Sequence, residues 1–425
     1  MRNNTAETDI CIKHKQNKEF LMKVLITTDL YTTETNGVVT SIKNLKEALT
    51  ARGHEVRVLT VSENRESYSK GDEEYYIKSL SLEWVYPNVR MPYSYHNDII
   101  REIVEWKPDI IHSQCEIFSM RFAKIISRKT KAPIVHTYHT MYEDYVGYVI
   151  PFERLGKWVV KFLSNKLLSK VSIVVAPTRK VENVLKDYGL KQQMRVVPTG
   201  ISLDKHKEPM DDSERLERRR ALGIADDEFV LISLGRLGNE KNTEELIKFF
   251  ANIQKKHEKT RLLIVGDGPN RENLENLAEE LKLGDKVIFT GMVAPSEVQK
   301  YYKLGDLYVS ASTSETQGLT YAEAAANRLP LLCREDPVLK DIIVSGHNGY
   351  EYTNEDEFER SLAFIMSNPE WRREAGVESE IIADSFDKST FGESIEELYK
   401  SLVELGEGAY DETNSAKEGE LQRKN

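Results

Sequence analysis

FVLISLGRLGNEKN, residues Phe229–Asn242, is an apolar run that breaks into a glycine-containing loop carrying Arg236 and Lys241. The run shows no alternation of apolar and polar residues, which is the pattern of a strand buried on both faces of a parallel sheet. The residues after it, to Lys256, place apolar side chains at helical spacing. Strand, short loop and helix in that order make one βα unit, and the same unit recurs on both sides of it.

Downstream the apolar runs are RLLIVG (Arg261–Gly266), KVIFT (Lys286–Thr290), Leu307–Ser310 and Leu331–Cys333, separated by helical segments such as Arg271–Leu283. They predict a doubly wound sheet. Upstream lies a charged stretch, DKHKEPMDDSERLERRR (Asp204–Arg220), read as the junction between domains. Before it comes an earlier series: KVLITT (Lys23–Thr28), Glu55–Thr60, Asp109–His112, Pro133–Thr137, Ser172–Ala176 and Arg195–Pro198. The expected fold is therefore α/β, with two Rossmann-like doubly wound domains over residues 22–203 and 204–386. Glu355–Leu405 reads as helix throughout, and its last part, 387–405, is expected to cross back to the first domain. Residues 1–21 and 406–425 are polar and aperiodic, the composition of disordered ends.

Composition sets the outer limits. A chain of 425 residues is long for one core at the usual ~150 residues per domain. With 40% hydrophobic and 30% charged residues it is a globular sequence. A formal net charge of -10 argues against nucleic acid as a partner, because phosphate contacts need a concentrated basic face. No stretch approaches the ~20 apolar residues of a spanning helix, and the N-terminus lacks a secretion signal, so a cytoplasmic location is expected. Cys11, Cys115 and Cys333 have no metal or disulfide spacing and read as incidental thiols.

Three features carry chemistry. Thr35-Asn36-Gly37-Val38 follows the first strand, and a glycine at a helix start lets backbone N–H groups approach an anion. It is not the G-x-G-x-x-G fingerprint of nicotinamide or flavin enzymes. The Gly235–Asn242 loop sets an Arg fork and a Lys point charge at the C-terminal edge of a parallel sheet, where ligands of open α/β folds sit. Ser314–Ala324 carries Glu315 on a loop and Glu323 eight residues on, about one turn into a helix. A loop carboxylate can accept bonds from sugar hydroxyls, the helical one can reach a ribose, and the N–H groups at Gly318-Leu319 face phosphate. The sequence has no D-x-D tripeptide, so cations must stand in for a metal and metal independence is expected.

Taken together, the NGV loop, GRLGNEKN, IVGDGP (Ile264–Pro269), TGMV (Thr290–Val293) and the E-x7-E pair resemble glycosyltransferase family four. The resemblance spans Lys23 to about Leu405. It implies a GT-B fold, with the two domains facing across a cleft, and a retaining hexosyltransferase that uses a UDP-sugar and no cofactor. It also implies roles: Gly37 near the donor phosphates, Arg236 and Lys241 on the diphosphate, Glu315 on the sugar, Glu323 on the ribose, Val293 meeting the base through its backbone. Gln317, Gly318 and Leu319 complete the donor loop. His139 in VHTYHT (Val135–Thr140) matches a histidine beside the donor sugar, while His136 and His112 read as structural. Members of the family often have an aromatic residue where this chain has Gln317, which leaves the exact hexose open.

The acceptor side points to lipid. RLGKWVVKFLSNKLLSK (Arg154–Lys170) mixes Trp158 and Phe162 with Lys157, Lys161 and Lys166 and contains no acid, the signature of an interfacial helix on anionic lipid. The amphipathic pattern is imperfect, because Lys166 and Lys170 fall inside the apolar arc unless they snorkel, and an ordinary domain helix packed on the sheet is the other reading. The run HTYHTMYEDYVGY (His136–Tyr148) resembles the subgroup that glucosylates diacylglycerol at the cytoplasmic leaflet. The resulting expectation is a peripheral enzyme on the inner face of the cell membrane, transferring glucose from UDP-glucose to the 3-hydroxyl of 1,2-diacylglycerol. The rivals are a transferase acting on a soluble sugar or cell-wall acceptor, a non-catalytic nucleotide-sugar-binding protein, and a nucleotide-sugar epimerase.

Overall fold

The computed structural model describes residues 20–31, 37–64, 66–82, 89–139 and 153–404. Residues 1–19 and 405–425 of the chain ends, residues 35 and 36 of the NGV loop, and residues 140–148 lie outside the described residues.

The first sheet is nine-stranded: β1 (Lys23–Thr27), β2 (Glu55–Ser62), β3 (Tyr68–Lys70), β4 (Glu74–Ser81), β5 (Arg90–Pro92), β6 (Ile110–Ser113), β7 (Ile134–Thr137), β8 (Ile173–Ala176) and β9 (Gln193–Val196). Its order is β3-β4-β2-β1-β6-β7-β8-β9, with β5 beside β4. All neighbours are parallel except β3 and β5, each antiparallel to β4. β1 shows why the sheet needs two covers: Val24 and Ile26 pack on one side with Ile42 and Leu45, while Leu25 packs on the other with Phe122 and Ile126. The strand order reverses direction between β1 and β6, which opens a crevice at the C-terminal ends of those strands.

The second sheet follows the same logic with β10 (Phe229–Leu234), β11 (Thr260–Val265), β12 (Val287–Phe289), β13 (Leu307–Ser310), β14 (Leu331–Arg334) and β15 (Gly349–Tyr352), in the order β12-β11-β10-β13-β14-β15. Its reversal lies between β10 and β13. The apolar runs read from the sequence are these strands, within a residue or two at each end.

The charged stretch after Gly200, read as the junction between domains, forms helices Leu203–Lys207 and Asp212–Ala221. Arg219 in the second is buried, donating to the Leu304 carbonyl at 2.6 Å and to Asp306 at 2.8 Å, so charge here serves as internal bonding of the second domain. The C-terminal run is helical as expected, but in separate helices, and the reading of helix throughout needs correction at residues 384–387. Pro369 starts a fresh helix, Pro369–Ala383, after Glu355–Ser367, because proline has no N–H to continue the ladder. Asp387 then turns extended and pairs with Ile201, so the two passages between domains lie side by side. Helix 388–404 beyond it buries Phe391, Ile395 and Tyr399 against the first sheet, the expected crossover.

Candidate functional site

The loops that follow β10 and β13 flank the reversal point of the second sheet, and they bring together residues far apart in sequence. Lys241, closing the turn Asn239–Lys241, places its Nζ 2.5 Å from Glu315 Oε1. Glu315 is almost fully buried and Lys241 partly open, so this is a carboxylate held in place by a cation that still faces the crevice. Arg236 is half exposed and pairs with Glu240 at 2.5 Å. The IVGDGP motif supports the same loop from behind. Gly266, at φ +133, lies so near the Gly235 carbonyl that an added methyl would stand 2.0 Å from its oxygen. The Leu237 N–H donates to the Asp267 carbonyl at 2.9 Å, tying the two loops.

Gly318 takes φ +71 to start the helix Leu319–Ala326, and a side chain there would collide with the Tyr321 ring. Gly37 opens the first-domain helix Gly37–Ala51, and a methyl added to it would come within 4.0 Å of Leu319 Cδ1. Two helix starts, one from each domain, therefore meet across the crevice. Gln317 is buried, but both polar ends of its side chain are occupied by the Thr199 backbone, so a donor contact from this residue falls to its main chain. Val293 is partly buried against the second core, in the loop after β12.

Glu323 lies one turn into the helix and accepts from the Tyr302 hydroxyl at 2.8 Å. Some of its surface stays open, yet burial pushes its carboxyl up to about 7, the Tyr302 bond drawing it partly back. A raised carboxyl is protonated below that pH and charged above it. If the charged form receives ribose hydroxyls, UDP affinity rises with pH. Between pH 6 and pH 8 the expected gain is about tenfold, following the ionised fraction of one group. Isothermal titration of UDP checks this, and Glu323→Gln should flatten the profile.

On the first-domain side, His139 follows β7 and its Nε2 lies 2.7 Å from Gln114 Oε1, just beyond β6. Burial holds the imidazolium form down, to about 4; Glu116 opposes this and His136 adds to it. At neutral pH His139 is thus an uncharged hydrogen-bonding group. His136 Nε2 faces Glu116 at 3.2 Å, and His112 bonds Tyr399 of the crossover helix at 2.6 Å and Thr137 at 2.7 Å, both deep in the domain. Sequence reading missed Gln114, Glu116 and Asp29. Asp29 accepts from the Ser119 and Phe118 N–H groups at 2.6 and 3.2 Å, and burial pushes it up to about 6 against those bonds. The segment HSQCE after an apolar strand, matched against VHTYHT after the next, was the available signal.

The basic segment is a helix, Glu153–Leu168. Val160 and Leu168 face the core, whereas Trp158 and Phe162 are 61% and 52% exposed and stack on each other with centroids 5.7 Å apart. Lys166 lies 5.9 Å over the Phe162 ring, and both it and Lys170 are exposed, with their charges open to water. Lys161 donates to the Asp187 carbonyl at 3.0 Å. The side chain of Lys157 lies outside the described residues. Helix Phe118–Thr130 adjoins through a bond from Lys124 to the Leu167 carbonyl, and adds exposed Arg121, Arg128 and Lys129. No helix among the described residues is long and apolar enough to cross a membrane.

Residues 35–205 match the family model described as Glycosyltransferase Family 4, and residues 214–380 the one described as Glycosyl transferases group 1. The alpha-monoglucosyldiacylglycerol synthase of Streptococcus pneumoniae is 36% identical over 90% of this chain and 86% of its own length. The synthase of the same name from Acholeplasma laidlawii is 30% identical over 90% of this chain and 98% of its own. Among solved structures, Anabaena HepE in complex with UDP-glucose superposes with a TM-score of 0.69 at 17% identity, covering 89% of this chain and all of that one. The likeness shows a shared GT-B fold.

Proposed function

The chain belongs to the family 4, group 1 glycosyltransferases, and from that premise we propose that it transfers glucose from UDP-glucose to the 3-hydroxyl of 1,2-diacylglycerol at a membrane surface. The observation that carries the chemistry is the Lys241–Glu315 pair at the reversal point of the second sheet, with two helix starts facing it. Anionic diphosphate suits the N–H groups at Gly37 and Leu319 together with Lys241 and Arg236. The HepE complex supports UDP-glucose as the donor on this fold. The acceptor rests on the two synthases named for the glucosyl-diacylglycerol product, and on the exposed Trp158 and Phe162 amid lysines.

UDP-glucose is an α-glycoside, so an α-glucolipid requires retention. As the bond from the anomeric carbon to the diphosphate breaks, the growing negative charge is met by Lys241 and Arg236. The acceptor oxygen bonds to the same face of the anomeric carbon and passes its proton to the departing diphosphate. Glu315, tied to Lys241 through Oε1, serves as a hydroxyl acceptor rather than a nucleophile, and neutral His139 supplies a second polar contact for the sugar.

The test is to incubate the protein with UDP-glucose and diacylglycerol in anionic vesicles, detecting glucolipid by mass spectrometry and UDP release in parallel. Glucosyl-diacylglycerol is expected, at a rate unchanged by EDTA because the diphosphate is neutralised by side chains. UDP release without glucolipid would discard the lipid acceptor, and a rate abolished by EDTA would discard the metal-free reading.

A further inference from the structure

We infer that Gln317 is a positioning residue, which fixes the loop presenting Glu315 by bonding that loop to the backbone of Thr199 in the other domain. The inference rests on the donor site proposed above. The Gln317 side chain is 4% exposed; its Oε1 accepts the Thr199 N–H at 2.7 Å and its Nε2 donates to the Thr199 carbonyl at 2.9 Å. One side-chain amide thus satisfies both polar groups of a single residue 118 positions away, which sets orientation as well as distance. A carboxylate lacks the donor and an aliphatic side chain lacks both groups.

A second bond acts on the neighbouring residue. Thr178 Oγ1 donates to the Thr316 carbonyl at 2.8 Å while capping its own helix, Arg179–Asp187, through the Val181 N–H at 3.4 Å. Lys180, two residues on, reaches Asp336 at 2.6 Å beyond β14. Glu315, Thr316 and Gln317 are consecutive, so two of the three residues are bonded across the domain boundary and the third to Lys241. The left-handed Gly318 follows at once, and the donor helix starts there. The geometry of Glu315 is thereby set from the first domain, and sugar recognition in the second domain depends on the two domains being joined.

The experiment compares wild type with Gln317→Leu and with the size-conserving Gln317→Glu, which serves if the leucine variant fails to fold. Hydrogen exchange without ligand reads the loop directly, and calorimetry with UDP and with UDP-glucose separates the nucleotide from the sugar. The expected result is faster exchange at Thr199 and over residues 313–318, with UDP-glucose affinity falling about tenfold, the scale of one or two lost hydrogen bonds, while UDP affinity changes less than about twofold. Unchanged exchange would overturn the inference, as would an equal fall for both ligands, which marks general damage. If wild type binds no nucleotide sugar, the transferase reading fails, and exchange at Thr199 and the loop alone then decides for or against the clasp.

Discussion

Replacing Lys241 by alanine is expected to lower turnover by roughly a hundred- to a thousandfold, the range for losing one preorganised charge at the site where negative charge develops. Two effects combine. The variant removes a cation from the diphosphate, and it leaves Glu315, whose side chain is only 11% exposed, without the ammonium it bonds at 2.5 Å. An unpaired buried acceptor costs about 1–3 kcal/mol, so the melting temperature should fall by several degrees while the fold survives on its four apolar cores. Glu315→Gln should lose activity on a similar scale, since the amide keeps the shape but not the charge that orients Lys241. Because the two side chains act as a unit, the double variant should be little worse than the poorer single one. Steady-state kinetics at saturating donor, with circular dichroism to certify folding, checks all three. Full activity in either single variant would remove the pair from the donor site.

How that pair could be read from sequence, and its neighbours could not, has a physical reason. Strands buried on both faces of a parallel sheet are continuous apolar runs, and β1, β10 and β11 declare themselves in that way. The loops after β10 and β13 then stand at equivalent places, so Lys241 and Glu315 could be matched without coordinates. β3, β4 and β5 escaped because they form the solvent edge of the first sheet. EYYIKSLS alternates with its exposed positions toward water, and YSK is exposed throughout. β15, GYEY, is short, and its glycine is needed where the Leu331 carbonyl approaches. Partners set by tertiary structure were out of reach altogether: Gln114 beside His139, Glu116 beside His136, and Thr199 for Gln317 are joined across 25, 20 and 118 positions. Gln317 illustrates the difference. Its place in a donor motif suggested contact with the sugar nucleotide, whereas its amide is spent on a backbone in the other domain.

Trp158→Ser combined with Phe162→Ser should weaken partition onto anionic vesicles by about 30- to 150-fold while leaving UDP affinity unchanged. A large apolar side chain contributes about 1.5–3 kcal/mol when fully removed from water. These two are 61% and 52% exposed in the free protein, so roughly half of that remains to be gained on insertion, about 2–3 kcal/mol in total. The lysines act differently. Each contributes about 1 kcal/mol near an anionic surface, and that share fades with salt. Lys161 already bonds the Asp187 carbonyl, so Lys161→Glu with Lys166→Glu should cost less than the aromatic pair and mainly at low ionic strength. Vesicle sedimentation at two salt concentrations separates the contributions: the aromatic variant should lose binding at both, the charge variant mostly at the lower. Lys241, Arg236 and Glu323 lie in the other domain and Gly37 opens a different helix of the first, so calorimetry with UDP should not distinguish these variants from wild type. Equal partition of wild type and the aromatic variant would mean that this helix face does not enter the lipid, and diacylglycerol would have to be reached from another surface of the first domain.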